Sequence, residues 1–336
     1  MVLPVASFFV TFVGVYWLRK RAVAVGLMDV PNDRSSHSVP TPRGGGLAFV
    51  LTICAMTIFL ASFSDLPATF AIALVPFGLA VATVGYIDDW RGLSAGVRLA
   101  VHVVAAAGAL CALGGWRMDE WSNYEIATAV IQAGVLIGVV WMINLFNFMD
   151  GTDGLASSEA LFICLALAFL LTSTGPVWHA LLWCFAAACS GFLLWNWPPA
   201  RIFMGDVGSG FLGFALAIVA IVLDDAGLLS VWTFVILSSA FVADASVTLL
   251  RRVVRGERWY QAHRSHAYQQ LATRFGGHLP VVLLLWVTNA FVVLPVAYLS
   301  HAKRELAPVL AAGLIVSLSF ACLLAGAGRR TASSMY

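Results

Sequence analysis

Long apolar segments recur along the whole chain, and they leave little room for any fold but a bundle of membrane-spanning helices. A helix crosses the hydrocarbon core of a bilayer with about 20 predominantly apolar residues. Eleven such segments cover residues 2–18, 44–63, 67–87, 97–114, 127–146, 158–174, 178–197, 209–223, 228–250, 280–299 and 306–327. We therefore predict an all-α polytopic membrane protein with 10–11 transmembrane helices, built as a single integral-membrane domain over residues 1–336.

Composition excludes an ordinary soluble domain. Hydrophobic residues make up 61% of the chain and charged residues only 11%, whereas a soluble domain carries about 25% charged residues. The 6 cysteines all fall within apolar segments and lack metal-ligand spacing, so we interpret them as small buried hydrophobic residues.

The positive charges predict how the bundle is oriented. Counting from an outer N-terminus, 16 of the 19 Lys and Arg residues fall in inner loops and 3 in outer loops. Such a bias is typical of cytoplasmic loops, so we expect a periplasmic N-terminus and a cytoplasmic C-terminus. The first apolar segment has its basic residues after it, which predicts an uncleaved span and not a secretory signal.

Five inner loops carry unusual polar content, at about residues 19–43, 88–97, 147–157, 198–208 and 251–279. The third has two Asp and two Gly in the five residues Asp150–Gly154, and we call this segment the aspartate–glycine turn. Carboxylates at the end of a lipid-buried helix are costly unless they line a wet site or meet a cation. The alternative is a plain solvated turn, since Asp and Gly are ordinary turn residues.

The acidic and amide side chains of these loops form one set on the inner face. Asp88 and Asp89 are adjacent at the end of the third span, and their mutual repulsion would be relieved by a divalent cation. The full set comprises Asp88, Asp89, Asn147, Asp150, Asp153 and Asp206.

A basic set lies on the same face, with Arg98 in the second loop and His263, Arg264 and His266 in the fifth. His263 and His266 would share one face of a helix. No thiol accompanies them, so a phosphate clamp fits better than a zinc site. The alternative is a basic loop that touches anionic lipid.

Together the two sets predict phosphoryl transfer, because acidic groups hold a metal ion and basic groups hold a polyphosphate. Mg²⁺ suits the oxygen ligands, with Mn²⁺ as the alternative ion. A membrane enzyme of this kind would join a nucleotide-linked donor to a lipid acceptor. Within the spans, His102 is expected to form an inter-helix hydrogen bond, and the role of Asp244 stays open.

Two other classes of function compete with this hypothesis. A secondary transporter would use intramembrane acidic residues as ion sites, but transporters bind near the bilayer midplane and many are built from repeats. Here the polar residues cluster at inner span ends, and none of the five loops has a second copy. A lipid-binding scaffold would not need all of these acidic motifs together.

Five motifs follow one another in the inner loops: PTPRGGG from Pro40, the pair Asp88-Asp89, NLFNFMDGTDGL from Asn144, FMGDVGS from Phe203 and HRSHAYQ from His263. In this order they resemble the motifs of the polyprenyl-phosphate N-acetylhexosamine-1-phosphate transferases, the MraY/WecA-like glycosyltransferase family 4. The first loop and the HRSHAYQ form are most similar to the WbpL-like branch, which starts O-antigen or related surface glycans.

The resemblance implies a reaction in which undecaprenyl phosphate attacks a UDP-N-acetylhexosamine of the GlcNAc, QuiNAc or FucNAc type, with release of UMP. It implies catalytic roles for Asp88, Asp89 and Asp206, and Mg²⁺ binding by Asn147 and Asp206. The substrate-binding residues it implies are Arg98, Asp150, Asp153, Asn196, Phe203, His263, Arg264 and His266. Among these, Asp153, Phe203 and Asn196 are expected near the uracil. His37 stands where some relatives carry Lys.

The same resemblance implies a location in the bacterial inner membrane with the active site on the cytoplasmic face. The partners it implies are the UDP-sugar, the polyprenyl phosphate, membrane lipid and a second copy of the chain in a homodimer, with no nucleic acid. No motif in the sequence specifies the sugar or the glycan pathway.

Overall fold

Helices account for most of the chain in the computed structural model, which describes residues 2–31, 39–116, 125–172, 175–257 and 263–329. His37 lies outside these ranges. In chain order the helices are α1 (Val2–Val25), α2 (Gly46–Phe63), α3 (Ala68–Arg91), α4 (Ala95–Leu113), α5 (Glu125–Met149), α6 (Leu155–Leu170), α7 (Pro176–Asn196), α8 (Asp206–Asp225), α9 (Val231–Leu237), α10 (Ser239–Val254), α11 (Ala267–Phe275), α12 (Leu279–Thr288), α13 (Leu294–Ala302) and α14 (Ala307–Ala325). Two short strands, β1 (Met28–Asp29) and β2 (Thr41–Pro42), pair antiparallel in the first inner loop.

The all-α polytopic class is confirmed. In the described residues 9 helical stretches are long and apolar enough to cross a membrane, and α9 with α10 forms a tenth, bent by 75°. The predicted span 158–174 corresponds to α6, whose 16 residues rise about 24 Å, less than the ~30 Å hydrocarbon core. Neighbouring helices bury 14 of those residues, which makes α6 an internal helix. The count of eleven spans and the orientation of the termini stay predictions.

Helix α8 is the centre of the bundle. Of its 20 residues 16 are buried, and it packs mainly against α3 and α5. Small residues along α8 let these helices approach closely, as is usual where lipid supplies no hydrophobic drive for helix association. A methyl group at Gly213, for example, would overlap the backbone of Met142 in α5.

A π-helical turn, Asn289–Val293, joins α12 to α13 in the membrane region. At its start Asn289 Nδ2 donates a 2.6 Å hydrogen bond to Glu159 Oε2 of α6, and both residues are buried. This pair is a polar link between α6 and the segment that joins α12 to α13.

Candidate active site

The predicted inner loops meet at one end of the bundle. The first loop lies along the fourth, where Phe203 N donates to Pro42 O at 2.8 Å, Gly45 N to Phe203 O at 3.0 Å and Gly46 N to Met204 O at 3.0 Å. These backbone bonds join segments about 160 residues apart in the chain and bring the PTPRGGG and FMGDVGS motifs together.

Asp89 caps the first turn of α8 from a neighbouring helix. Its Oδ1 accepts from Asp206 N at 3.0 Å and its Oδ2 from Val207 N at 3.3 Å. The first N–H groups of a helix lack partners within it and carry partial positive charge, so a carboxylate there is stabilising. The Asp89 side chain is fully buried, and Arg43 Nε lies 3.0 Å from its Oδ1.

Glycine makes this approach of α3 to α8 feasible. A methyl group at Gly85, one turn before Asp89, would overlap the backbone carbonyl of Asp206. Gly205 precedes α8 with a φ of 77°, a left-handed conformation that favours glycine, and a methyl group there would overlap the Asp89 carboxylate.

Asp88 has different partners from its neighbour. Arg98 Nη1 lies 2.6 Å from Asp88 Oδ2 and 3.2 Å from Asp206 Oδ2, so one guanidinium nitrogen bridges the two carboxylates. Arg43 Nη2 reaches Asp206 Oδ1 at 3.6 Å from the other side. We call Asp88, Asp89 and Asp206 the acidic cluster. Three carboxylates thus face two arginines, and Arg43 is a member of the site that sequence reasoning gave no role.

The oxygen donors beside Asp206 are of the kind that Mg²⁺ prefers. Asn147 lies against the first turn of α8, where its Nδ2 donates to Ser209 Oγ at 3.2 Å and leaves its amide oxygen as an acceptor. Within the described ranges no three His, Cys, Asp or Glu side chains converge as ready-made metal ligands. Mg²⁺ commonly takes one or two carboxylates and completes its shell with water and substrate phosphate. The residues therefore fit Mg²⁺ and do not form a closed structural zinc site.

Asp150 is half-buried immediately after α5. Burial raises the pKa of its carboxyl well above the usual value, and the negative charges of Asp206 and Asp89 raise it further. Arg43 opposes this shift. Asp150 therefore keeps its proton to a higher pH than an ordinary aspartate, and it lies within electrostatic reach of the acidic cluster.

Asp153 and Asn196 are engaged within the protein. Asp153 Oδ2 accepts from Ala200 N at 3.0 Å and lies 3.1 Å from Nδ1 of His278, which sequence reasoning missed. Asn196 is buried, and its Oδ1 accepts from Gly154 N at 2.9 Å while its Nδ2 donates to Ile202 O at 3.1 Å. Both side chains hold the aspartate–glycine turn against the fourth loop.

Phe203, expected at the uracil, is half-buried in the fourth loop. Its backbone hydrogen bonds join this loop to the first. The structure thus places Asp153 and Asn196 between the aspartate–glycine turn and the fourth loop, and Phe203 where the fourth loop contacts the first.

His263, Arg264 and His266 lie in the part of the fifth loop that precedes α11, and we call His263–His266 the histidine loop. The rings of His263 and His266 stack with centroids 4.9 Å apart, and His263 Nδ1 lies 3.0 Å from Ser265 Oγ. Burial, together with the charges of His266 and Arg252, lowers the pKa of His263 to about 3. At neutral pH this ring is therefore uncharged and adds hydrogen-bonding capacity, not positive charge, to the predicted basic set. Arg264 lines a small cavity with Thr152 and His278.

The structure adds to what the sequence predicted for two residues within the spans. His102 is buried in α4, but its Nδ1 has no hydrogen-bond partner among the described residues, so the expected inter-helix bond is wrong for that atom. Asp244, whose role the sequence left open, binds the backbone of α11 at the end of the histidine loop. A buried acid two turns before a basic loop was the only signal for it.

Comparisons with known proteins identify the family of the chain. Residues 69–224 match the model of glycosyl transferase family 4. The chain is 30% identical to a decaprenyl-phosphate N-acetylglucosaminephosphotransferase of Mycobacterium tuberculosis (strain CDC 1551 / Oshkosh) over 340 residues, with 89% of this chain and 82% of the relative covered. The chain belongs to glycosyl transferase family 4. It is therefore a multi-pass membrane protein and a phosphosugar transferase, as the motif resemblance implied.

Two further relatives show the breadth of the family. A probable undecaprenyl-phosphate N-acetylglucosaminyl 1-phosphate transferase of Bacillus subtilis (strain 168) is 26% identical over 279 residues, with 80% of this chain and 76% of the relative covered. A phospho-N-acetylmuramoyl-pentapeptide-transferase of Trichormus variabilis is 32% identical over 201 residues, with 54% and 53% covered. The WbpL-like branch stays a prediction, because these family 4 relatives do not specify it.

Proposed function

We propose that this family 4 enzyme transfers a sugar-1-phosphate from a UDP-N-acetylhexosamine to undecaprenyl phosphate and thereby starts O-antigen or other surface polysaccharide synthesis. The observation that supports it best is the acidic cluster, where Asp88 and Asp206 meet Arg43 and Arg98 at the end of a membrane bundle. Such a cluster suits a reaction in which two phosphate groups must approach each other close to lipid.

In the proposed reaction an oxygen of the lipid phosphate attacks the β-phosphorus of the donor. A new P–O bond forms, the bond from the β-phosphorus to the oxygen shared with the α-phosphorus breaks, and that oxygen leaves with UMP. The attacking phosphate is already ionised at neutral pH, so most of the rate enhancement comes from positioning and charge neutralisation.

Asn147 and Asp206 would hold Mg²⁺ against the diphosphate, with Mn²⁺ as the alternative ion. When bound, the ion would neutralise charge that develops on the phosphate oxygens. Asp88 would orient the lipid phosphate, while Asp89 holds the first turn of α8 in place. Arg98 exchanges its carboxylate partners for phosphate oxygens in this scheme, since a guanidinium binds either group with similar geometry.

The remaining substrate-binding residues line the same end of the bundle. Arg264 and His266 would bind the diphosphate, with His263 as an uncharged neighbour. Asp150, Asp153 and Phe203 would border the nucleotide, and Asn196 holds their neighbours Gly154 and Ile202 in place. This active site would lie on the cytoplasmic face of a bacterial inner membrane, where UDP-sugars are available.

The test is UMP release by the purified protein in detergent with undecaprenyl phosphate, Mg²⁺ and UDP-GlcNAc, UDP-QuiNAc or UDP-FucNAc. Wild type is compared with Asp88→Asn and Asp206→Asn, and with Asp65→Asn, a matched exposed carboxylate in an outer turn. We expect lipid-dependent UMP from one donor, a loss of about 100-fold or more in the first two variants, and wild-type rates in the third.

Removal of the metal adds a second arm. EDTA should abolish UMP release, and added Mg²⁺ or Mn²⁺ should restore it. UMP from none of the donors would contradict the proposal, and proteoliposome uptake would then test the transporter alternative. A homodimer, which the family resemblance implies, is tested separately by the mass of the detergent-solubilised particle.

A further inference from the structure

A buried carboxylate organises the start of α11 from within the membrane bundle. Asp244 of α10 is 3% exposed, yet its two oxygens accept four hydrogen bonds. Oδ1 accepts from Ala267 N at 2.8 Å and from Thr248 Oγ1 at 3.1 Å, and Oδ2 accepts from Tyr268 N at 3.0 Å. Backbone N–H groups at a helix start stabilise a negative charge, which favours Asp244 in its ionised form.

The fourth bond involves His266, whose Nδ1 lies 3.3 Å from Asp244 Oδ1. An ionised carboxylate can only accept hydrogen bonds, so the nitrogen that faces it carries the proton. The ring is also flanked by aromatic groups, with centroids 4.9 Å from His263, 5.5 Å from Tyr268 and 6.3 Å from Phe148. The contact with Asp244 uses Nδ1, so Nε2 is the ring nitrogen through which a ligand would bind, and the side chain is 2% exposed.

The same carboxylate is connected to the aspartate–glycine turn. Tyr268, whose backbone Asp244 holds, donates from its hydroxyl to Phe148 O at 3.0 Å. A methyl group at Gly151 would overlap that hydroxyl, so Tyr268 packs directly on the turn. Phe148 directly follows Asn147, the predicted metal ligand, and lies two residues before Asp150. Asp244 thus determines where the histidine loop lies relative to the predicted metal ligand.

We propose that Asp244 is a positioning residue that fixes the Nδ1-protonated form of His266 and so presents its Nε2 to the donor diphosphate. The inference rests on the proposed function for its ligand, but the state of the ring is a property of the protein alone. When Nε2 is protonated as well, the ring is a cation that can donate a hydrogen bond to a phosphate oxygen. The negative charge of Asp244, next to Nδ1, then stabilises the positive charge of the ring.

The first measurement is ¹⁵N NMR of histidine-labelled full-length protein in detergent, with the His266 signals assigned from the His266→Gln spectrum. We expect Nδ1 of His266 to be protonated in wild type. Asp244→Asn keeps an oxygen toward Nδ1 and should preserve that state, whereas Asp244→Ala should release the ring to a mixture of tautomers. Thr248→Val removes only a hydroxyl donor to Asp244 and should match wild type.

Kinetics of UMP release form the second measurement. We expect Asp244→Ala to lower kcat/KM for the UDP-sugar by about 10–100-fold, the usual effect of removing such an orienting partner. Asp244→Ala combined with His266→Gln should lose less activity than the two single losses combined, because the two changes share their effect on this ring.

The outcomes separate the two proposals. An Nε2-protonated, Nδ1-unprotonated His266 in wild type would overturn the inference, whether or not the enzyme makes UMP. Additive losses in the double variant would overturn it as well. Absence of UMP from wild type, with Nδ1 protonated, would count against the proposed function and leave the positioning of the ring supported.

Discussion

Two adjacent aspartates at the end of α3 have different surroundings. Asp88 retains 12% side-chain exposure and pairs with Arg98, whereas Asp89 is fully buried under the first turn of α8. Because side chains at neighbouring helix positions point about 100° apart, one carboxylate faces the site and the other faces the helix start. Asp88 is therefore the carboxylate placed for a role in the reaction, whereas Asp89 stabilises the packing of α3 against α8.

This difference predicts different consequences of removing each carboxylate. Asp89→Ala deprives two N–H groups of α8 of their acceptor, so the free energy of unfolding should fall by about 1–2 kcal/mol. Asp88→Ala leaves Arg98 its contact with Asp206, so its effect on unfolding should be smaller. Both variants should lose UMP release. Thermal unfolding in one detergent checks this, and equal destabilisation would contradict it.

A second prediction concerns Glu159, which is fully buried in α6. Glu159 Oε1 and Asn289 Oδ1 are both buried without a partner in the described part of the chain. A glutamine would supply a donor for Asn289 Oδ1 and keep an acceptor for Asn289 Nδ2. We expect Glu159→Gln to raise the free energy of unfolding by about 1 kcal/mol, and Glu159→Ala, the control, to lower it. A lower melting temperature for the glutamine variant would refute this.

The raised pKa of Asp150 predicts how stability depends on pH. In the folded protein this carboxyl keeps a proton that the unfolded chain has already released, so its contribution makes the protein less stable as pH rises above the ordinary Asp range. Asp150→Asn removes that penalty. In metal-free buffer we expect the variant to melt at a higher temperature than wild type at pH 8, with the difference shrinking toward pH 4. A constant difference would contradict the shift.

At the scale of elements, α8 is the helix on which the site is assembled. Its first turn contacts Asp89 of α3, Arg98 of α4, Asn147 of α5 and Gly46 of α2. The ends of four helices therefore contact the first turn of α8. Small shifts of α8 along its axis would change the distances from Asp206 to both arginines and from Asp89 to the first turn of α8.

Gly85→Ala tests this dependence. The added methyl group overlaps the Asp206 backbone, so α3 and α8 must separate and both stability and UMP release should fall. Gly96→Ala is the matched control, because Gly96 lies in α4 with no atom within 4 Å of an added methyl group. The control should keep activity and gain about 0.5–1 kcal/mol of stability from helix propensity. Wild-type activity in Gly85→Ala would contradict the role of this contact.

At the scale of the whole molecule, polar chemistry is concentrated at one end of the bundle. The described outer connections are short, such as Ser64–Pro67 between α2 and α3 and Ala226–Ser230 between α8 and α9. The inner loops contribute every member of the acidic cluster. The charge bias of the sequence predicts that this end faces the cytoplasm.

Cysteine labelling in oriented membrane vesicles tests the orientation. Thr273→Cys lies on α11 at the site end, and Ala226→Cys lies in an outer turn, both exposed. A membrane-impermeant maleimide should label the first only in inverted vesicles and the second only in right-side-out vesicles. The parent chain, whose native cysteines lie in helices, is the control. The opposite pattern would reverse the predicted topology.

Much of this protein follows from the sequence alone. The apolar segments determine the helices because backbone polar groups must be satisfied within lipid. The five inner loops, their acidic and basic residues and the family follow from the motifs. The length of α6 and the bend between α9 and α10 could not be predicted from the sequence. The apolar content of a segment does not show how deeply neighbouring helices bury it.

The tertiary structure decided which distant residues meet at the site and which hold the loops. Arg98 meets Asp206 across 108 positions, Asn196 meets Gly154 across 42, and Asp244 meets His266 across 22. Residue type in a motif predicts the chemistry a site can perform. Only packing decides whether a carboxylate faces substrate, as Asp88 does in our proposal, or a helix start, as Asp89 and Asp244 do, because that depends on where α8 and α11 begin in space.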